Sequence, residues 1–481
     1  MVIINKKLFL KRIGLVLAII FVIVSIILVI ALYSNSQVES PFKLVKSEST
    51  YLIIALFAIL PILFILLIVG LKMKSNEVIK VDGNVNAPVN GQIVGSPVVQ
   101  PTVPVAGTSL QKVDKEKKPK ENKTRFYMLS QIDANRSKYQ RSSYNNTVKL
   151  DELCENFRNF AANRLKLYYD IEDIRKFIAG LAVTKLIILQ GMSGTGKTSL
   201  AYAFGEYLDN TSTVVPIQPM WKERTDLIGY YNEFTKRFSE TTLLKKMYEA
   251  NYSNDIYVTV LDEMNIARIE YYFAEFLSLL ELPNPEGRYL DVVSDKWPND
   301  PKLLRNGQIK LPDNMWFIGT ANNDDSTFAI SDKVYDRAMV LNLDQKADPF
   351  VGKRVKRLHL SKEHFDKLIK DAKNEYEITE RNKKRIKLLD EYLIENFNIT
   401  FGNRIMKQIR EYVAVYVACG GDELVAIDDI ISKKVLRKLE TQNPIYVRSA
   451  TPAFINFLDE LFGEEKMHLC KTYMHKLERN G

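Results

Sequence analysis

Between Lys185 and Leu208 the chain passes from a short apolar run, KLIILQ at 185–190, through GMSGTGKT at 191–198, into a segment with Leu200, Ala201, Phe204 and Leu208 in an apolar pattern. The order is strand, glycine-rich turn, helix. Few folds accept it, because the turn must bring several backbone N–H groups to one point while the helix behind presents the positive end of its dipole. That arrangement binds phosphate. The candidate contacts are Gly191, Met192, Ser193, Gly194, Thr195, Gly196, Lys197, Thr198 and Ser199. Lys197 is expected to reach the β- and γ-phosphates, and the Thr198 hydroxyl to hold Mg2+.

Composition narrows the rest. The 481 residues are 46% hydrophobic and 26% charged, enough for roughly three ordinary domains and too apolar for a disordered chain. Three cysteines (Cys154, Cys419, Cys470) and four histidines show no paired ligand spacing, which argues against a zinc ribbon, a haem site and a disulfide framework. The net charge of +9 sits at one end: residues 1–125 carry 16 Lys and Arg against 7 Asp and Glu, whereas 126–481 carry 51 of each. Basicity is therefore no argument that the globular part binds nucleic acid.

The N-terminal quarter reads as a membrane hairpin. Two apolar runs, about 13–33 and 51–71, are each long enough to cross a hydrocarbon core of roughly 30 Å. Lys6, Lys7, Lys11 and Arg12 precede the first, and Lys72, Lys74 and Lys80 follow the second, while the loop between them balances two lysines with two glutamates. The positive-inside rule then puts both ends in the cytoplasm, as expected for a multi-pass protein of the cell (plasma) membrane. Residues 75–125, rich in Val, Pro, Gly, Asn and then Lys, are expected to be a flexible linker between the spans of 1–74 and the rest.

Downstream, IYVTVL at 256–261 is a second buried-strand pattern ending in Asp262 and Glu263. An acidic pair at the carboxyl end of such a strand suits Asp262 to Mg2+ and Glu263 to the attacking water. Apolar positions from Ile266 through Ile269, Phe273, Phe276, Leu277 and Leu280 predict one helix, stopped by Pro283. A further strand, MWFIG at 315–319, leads into Thr320, Ala321 and Asn322, with Asn322 placed to contact the γ-phosphate or the water. Trp221, Tyr230 and Tyr231 flank Gly229 and are expected to pack.

GMSGTGKTS, LDEMNIAR leading into YYFAEFLSLLE, QIKLPDNMWFIGTANND and the Asp336–Arg337 pair together resemble the AAA+ superfamily, in particular the McrB-like GTPase subunit of 5-methylcytosine-specific restriction systems and, more distantly, MoxR and dynein-type modules. The resemblance covers about 126–445. It implies an α/β fold: a P-loop AAA+ core over 126–350 with a parallel five-stranded sheet of order 5-1-4-3-2, and an α-helical lid with a tail over 351–481. It also implies a nucleoside triphosphatase assembled as a homo-oligomeric, usually hexameric, ring. Asn322 matches the sensor-1 asparagine, Arg337 the region of the arginine finger, and Arg404 the place of a sensor-2 arginine over the nucleotide. The 287–310 segment matches a hairpin insertion. Ser326 stands where the restriction GTPases carry arginine, which favours ATP over GTP as the substrate bound with Mg2+.

The leading expectation is thus a membrane-anchored ATPase that remodels a protein partner. The alternative is a DNA restriction or defence motor working with a separate nuclease, since no nuclease constellation is visible in this chain.

Overall fold

The computed structural model describes residues 124–480 apart from 323–326 and 345. The two apolar runs and nearly all of the expected linker lie outside the described residues, as does Ser326. Among the described residues no helix is long and apolar enough to cross a membrane. Arg125, expected to end the linker, is instead 3% exposed, with its guanidinium held by Asp300 and Asp295 and stacked 4.5 Å from the Trp297 ring centre.

The described strands are β1 (Leu186–Gln190), β2 (Thr213–Pro216), β3 (Gly229–Asn232), β4 (Arg237–Glu240), β5 (Tyr257–Asp262), β6 (Tyr289–Asp291), β7 (Gln308–Lys310), β8 (Met315–Ala321) and β9 (Met339–Asn342). Five of them form one sheet in the order β2-β5-β8-β1-β9, every pair parallel. Counted over these five alone, the order is 5-1-4-3-2 read from the β9 edge. The whole-chain numbering differs because two antiparallel hairpins, β3–β4 and β6–β7, are inserted. The second hairpin falls within 287–310; the first has no counterpart in the sequence-based expectation.

A parallel sheet needs cover on both faces, and the strands alternate accordingly. Ile187, Leu189, Val258, Val260, Trp316 and Ile318 enter one apolar cluster. Leu186, Ile188, Tyr257, Leu261, Met315 and Phe317 enter the other. The first face is covered by α1 (Ile171–Val183) and α2 (Lys197–Tyr207), the second by α3 (Thr242–Ala250) and α4 (Ala274–Glu281).

The single helix expected from Ile266 to Leu280 is broken. A 3-10 turn at Met264–Ile266 and a short helix at Ile269–Tyr272 precede α4, and Phe273 leaves helical geometry at φ −109°, ψ 5°. The break lets the Phe273 ring stack on Phe276 at 4.8 Å and meet Phe317 edge-on at 5.2 Å, so core packing outweighs helix continuity.

Helices α5 (Lys362–Glu375), α6 (Glu380–Phe397), α7 (Gly402–Ala418), α8 (Glu423–Lys434), α9 (Pro444–Phe462) and α10 (His468–Asn480) follow. They belong to the same apolar cluster as the first sheet face. The expected tail is part of this body, since Phe454, Leu458, Cys470 and Met474 are fully buried.

Candidate functional site

The turn after β1 depends on glycine. Gly191 has φ +143°, and a Cβ there would lie 2.3 Å from the Leu343 carbonyl oxygen; Gly196 has φ +92° and lies under the Tyr169 ring, whose hydroxyl donates to its carbonyl at 3.1 Å. Larger residues clash or adopt a disfavoured backbone. Lys197 opens α2, is 7% exposed, and donates to the Gly191 and Met192 carbonyls at 2.8 and 2.7 Å. Its ammonium is thereby held at the mouth of the loop. Met192 is 68% exposed, and the Thr195 hydroxyl donates to the Met192 carbonyl at 3.0 Å. Ser193, Gly194 and Ser199 lie along the same loop and first helical turn.

The acid pair meets this loop across the sheet. The Thr198 hydroxyl donates to Asp262 Oδ1 at 2.8 Å, joining the start of α2 to the end of β5. The neighbouring strand β8 supplies Thr320, whose hydroxyl donates to the same oxygen at 2.9 Å and accepts the Glu263 N–H at 2.9 Å. Glu263 itself sits in the left-handed region at φ 52°, ψ 47°. That conformation costs a non-glycine residue about 1–2 kcal/mol and turns the side chain off the strand line.

Asn322 follows directly on β8. Its carbonyl accepts from the Asn265 side chain at 2.8 Å and its amide donates back to Asn265 Oδ1 at 3.3 Å. Asn265 is 4% exposed and also reaches the Phe328 carbonyl at 3.3 Å, so it pins both ends of the 322–328 segment. A cavity of about 550 Å3 adjoins Asn322 and Gln190 and is also lined by Arg437, Tyr473 and Lys476 from the C-terminal part of the chain.

Thr320 and Asn265 are site residues that sequence reasoning missed. The one available signal was a hydroxyl or amide within an otherwise apolar stretch.

Arg337 and Arg404 stand elsewhere, and together. Both pair with Glu281, the last residue of α4, at 2.7 and 2.6 Å. Burial pushes the Glu281 carboxyl up, but the hydrogen bond and charge of Arg337, joined by Arg404, outweigh it and hold the group below its usual range. The cavity they line includes Thr184, Lys185 and Leu186 at the amino end of β1. Arg337 precedes β9, whose Met339 pairs with Ile187 at that same end. The phosphate loop lies at the other end of β1, about 16 Å away by strand rise. Arg404, expected over its own chain's nucleotide, is therefore not brought to it. Helix α7 runs antiparallel to α1, with Arg175 reaching the Cys419 carbonyl, which carries the amino end of α7 away from the loop.

With this geometry in view, residues 186–338 match the family described as AAA domain (dynein-related subfamily). This segment is similar to AAA domains. The match runs from the start of β1 to just past Arg337 and takes in the loop, the acid pair and Asn322, and a match to this family implies nucleotide binding, usually with Mg2+. Residues 356–481 match a separate family described as a domain of unknown function, DUF8727, which covers α5 to α10. Among solved structures, a presumed ATPase from Cytophaga hutchinsonii is similar over 66% of this chain and 94% of its own, at 15% identity and a TM-score of 0.41. No curated protein matches the chain.

Proposed function

We propose that this protein is a membrane-anchored AAA+ ATPase that hydrolyses ATP with Mg2+ in a homo-oligomeric ring and uses the cycle to remodel a protein partner. The observation that carries the hydrolytic part is Asp262 Oδ1 receiving Thr198 and Thr320 while Glu263 stands beside it on a strained backbone. The Thr198 hydroxyl and Asp262 carboxylate are hard oxygen donors 2.8 Å apart, a set that suits Mg2+. When bound there, the ion would neutralise charge on the phosphates. Lys197 would hold the β- and γ-phosphates, Glu263 would orient and deprotonate the attacking water, and Asn322, fixed by Asn265, would contact the γ-phosphate or that water.

The ring is supported by where Arg337 lies. It is at the wrong end of β1 to serve its own loop, so a positive group for the transferred phosphoryl would have to come from a second subunit. The anchor rests on the two apolar runs and the flanking lysines. The McrB-like affinity rests on the motifs alone.

Hydrolysis by the full-length, detergent-solubilised protein tests the reading. Glu263→Gln should retain nucleotide while turnover falls by at least about 100-fold, the usual worth of a general base. Wild-type turnover in that variant would refute the assignment. Stimulation by DNA would favour the restriction-motor alternative.

A further inference from the structure

Between β9 and α5, the described residues of 343–360 form neither helix nor strand. The middle of this strap is held on the turn that follows the helix Leu150–Phe160. The Asn163 side-chain amide donates to the Gly352 carbonyl at 3.0 Å, and the Lys353 N–H donates to Asn159 Oδ1 at 2.9 Å. The Arg158 guanidinium stacks 4.1 Å from the centre of the Phe350 ring. Gly352 permits so close an approach, since a Cβ there would lie 2.8 Å from the Asn159 carbonyl oxygen and 2.9 Å from the Ala162 Cβ. The residues beside it face water: Val351 is 99% exposed, and Lys353 and Arg354 are exposed as well.

The two joined segments concentrate one sign of charge. Residues 158–168 hold three Lys or Arg and no acid, and 346–357 hold five against Asp348 alone. Residues 126–481 are balanced overall, at 51 of each sign, so the excess is local. Arg357 is neutralised by Glu206 and Asp209 at 2.6 and 2.9 Å. Arg164, Lys166, Lys353, Arg354 and Lys356 are exposed and form no ion pair among the described residues. Self-repulsion of this kind opposes folding, and Val351 between the cations adds nothing to the core. A patch that works against its own chain's stability and packs on nothing within it suits an external anionic surface.

Cations around an exposed aliphatic residue match the headgroup region of a bilayer, where charges meet acidic lipid and methyl groups reach the acyl boundary. A nucleic acid would gain nothing from the valine. The rings here that could stack on bases are engaged, because Phe350 meets Tyr168 edge-on at 5.9 Å and lies under Arg158.

We propose that this face docks on an anionic membrane surface, with Val351 entering the headgroup region and Arg164, Lys166, Lys353, Arg354 and Lys356 meeting acidic lipid. The inference rests on the membrane-anchored reading above for proximity alone. The expected flexible linker over 75–125 has a reach on the order of 40 Å, which holds the patch beside the bilayer at an effective concentration in the millimolar range.

The test places the environment-sensitive fluorophore NBD on Val351→Cys in full-length protein reconstituted into vesicles. The three native cysteines are at most 1% exposed and do not compete for the label. Relative to phosphatidylcholine alone, vesicles that also contain phosphatidylserine should shift the emission to the blue and brighten it at least about 2-fold, and high salt should reverse the change by screening. Adding Lys353→Glu, Arg354→Glu and Lys356→Glu should abolish the response, whereas Lys353→Arg with Lys356→Arg should keep it. Equal emission in the two kinds of vesicle overturns the proposal. So does a response to duplex DNA in phosphatidylcholine vesicles as large as the response to phosphatidylserine, which would assign the patch to nucleic acid. Flotation with phosphatidylcholine vesicles reports the anchor itself, so failure to dock and failure of the anchored reading are read apart, and neither measurement uses hydrolysis.

Discussion

Thr320 donates its hydroxyl to the Asp262 carboxylate at 2.9 Å from a position 3% exposed to solvent. The same oxygen receives the Glu263 amide, so one side chain on β8 sets the orientation of two acidic residues at the end of β5. Thr320→Val keeps the shape and removes both contacts. Leaving the Glu263 N–H without this acceptor should lower stability by about 1–3 kcal/mol. Turnover should fall at least 10-fold, and Thr320→Ser should restore most of both. Chemical denaturation and steady-state hydrolysis on the same preparations check the pair.

Glu263 carries a separable strain. Asparagine tolerates the left-handed region better than glutamate, so Glu263→Asn should raise stability by up to about 1 kcal/mol. It should also abolish turnover, since the shorter amide can neither reach as far nor accept a proton. A variant both more stable and inactive would show that the backbone at 263 is held out of its preferred conformation for chemistry. A loss of stability would remove that argument.

The loop and the acid pair were legible in the sequence because their chemistry is contiguous: one strand end, one turn, one helix start. Asp262 and Glu263 needed only the strand before them to be placed. Thr320 and Asn265 were not legible, because their roles are set by which strands become neighbours, and β5 meets β8 across more than fifty residues of intervening chain. The interruption at Phe273 was hidden for a related reason, since helical spacing in 266–280 persists through a break that serves ring packing. Arg404 shows the sharper failure. The resemblance alone put it over the nucleotide, yet its place depends on the direction in which α7 crosses α1, and no local pattern encodes that.

Asp173 on α1 offers a pH test. Burial pushes its carboxyl up to about 6; Lys176 opposes the shift, Asp170 adds to it, and Lys433 and Asp429 exert smaller effects in opposite directions. A raised carboxyl binds its proton more tightly in the folded chain than in the unfolded one. Its stabilising contribution is therefore full below about pH 4 and lost as the pH climbs to about 6. Asp173→Asn should leave stability near pH 4 almost unchanged and increase it by about 1–3 kcal/mol at pH 7, because each tenfold difference in proton affinity between the folded and unfolded chain is worth about 1.4 kcal/mol. Denaturant midpoints of both proteins across pH 4–7 would show the curves separating as the pH rises, and parallel curves would contradict the burial argument.

Lys434, at the end of α8, is 5% exposed and donates to the Tyr335 and Asp336 carbonyls at 2.7 and 3.3 Å. Burial lowers its amine to about 7, with Asp336 working against the shift. Arg437, one turn on, stacks 3.2 Å from the centre of the Tyr335 ring and pairs with Asp332 at 3.0 Å. The C-terminal helices thus grip the segment that leads directly into Arg337. Lys434→Met preserves the buried aliphatic volume but leaves the Tyr335 and Asp336 carbonyls without this donor, which should lower stability by about 1–3 kcal/mol. If the grip aims Arg337, turnover should fall several-fold while the KM for nucleotide stays near the wild-type value, because the phosphate loop is untouched. Lys434→Arg, which keeps the donors, should recover part of the loss. A change in KM alone would mean that Lys434 acts on nucleotide binding instead, and that the arginine is positioned by Glu281 without help from α8.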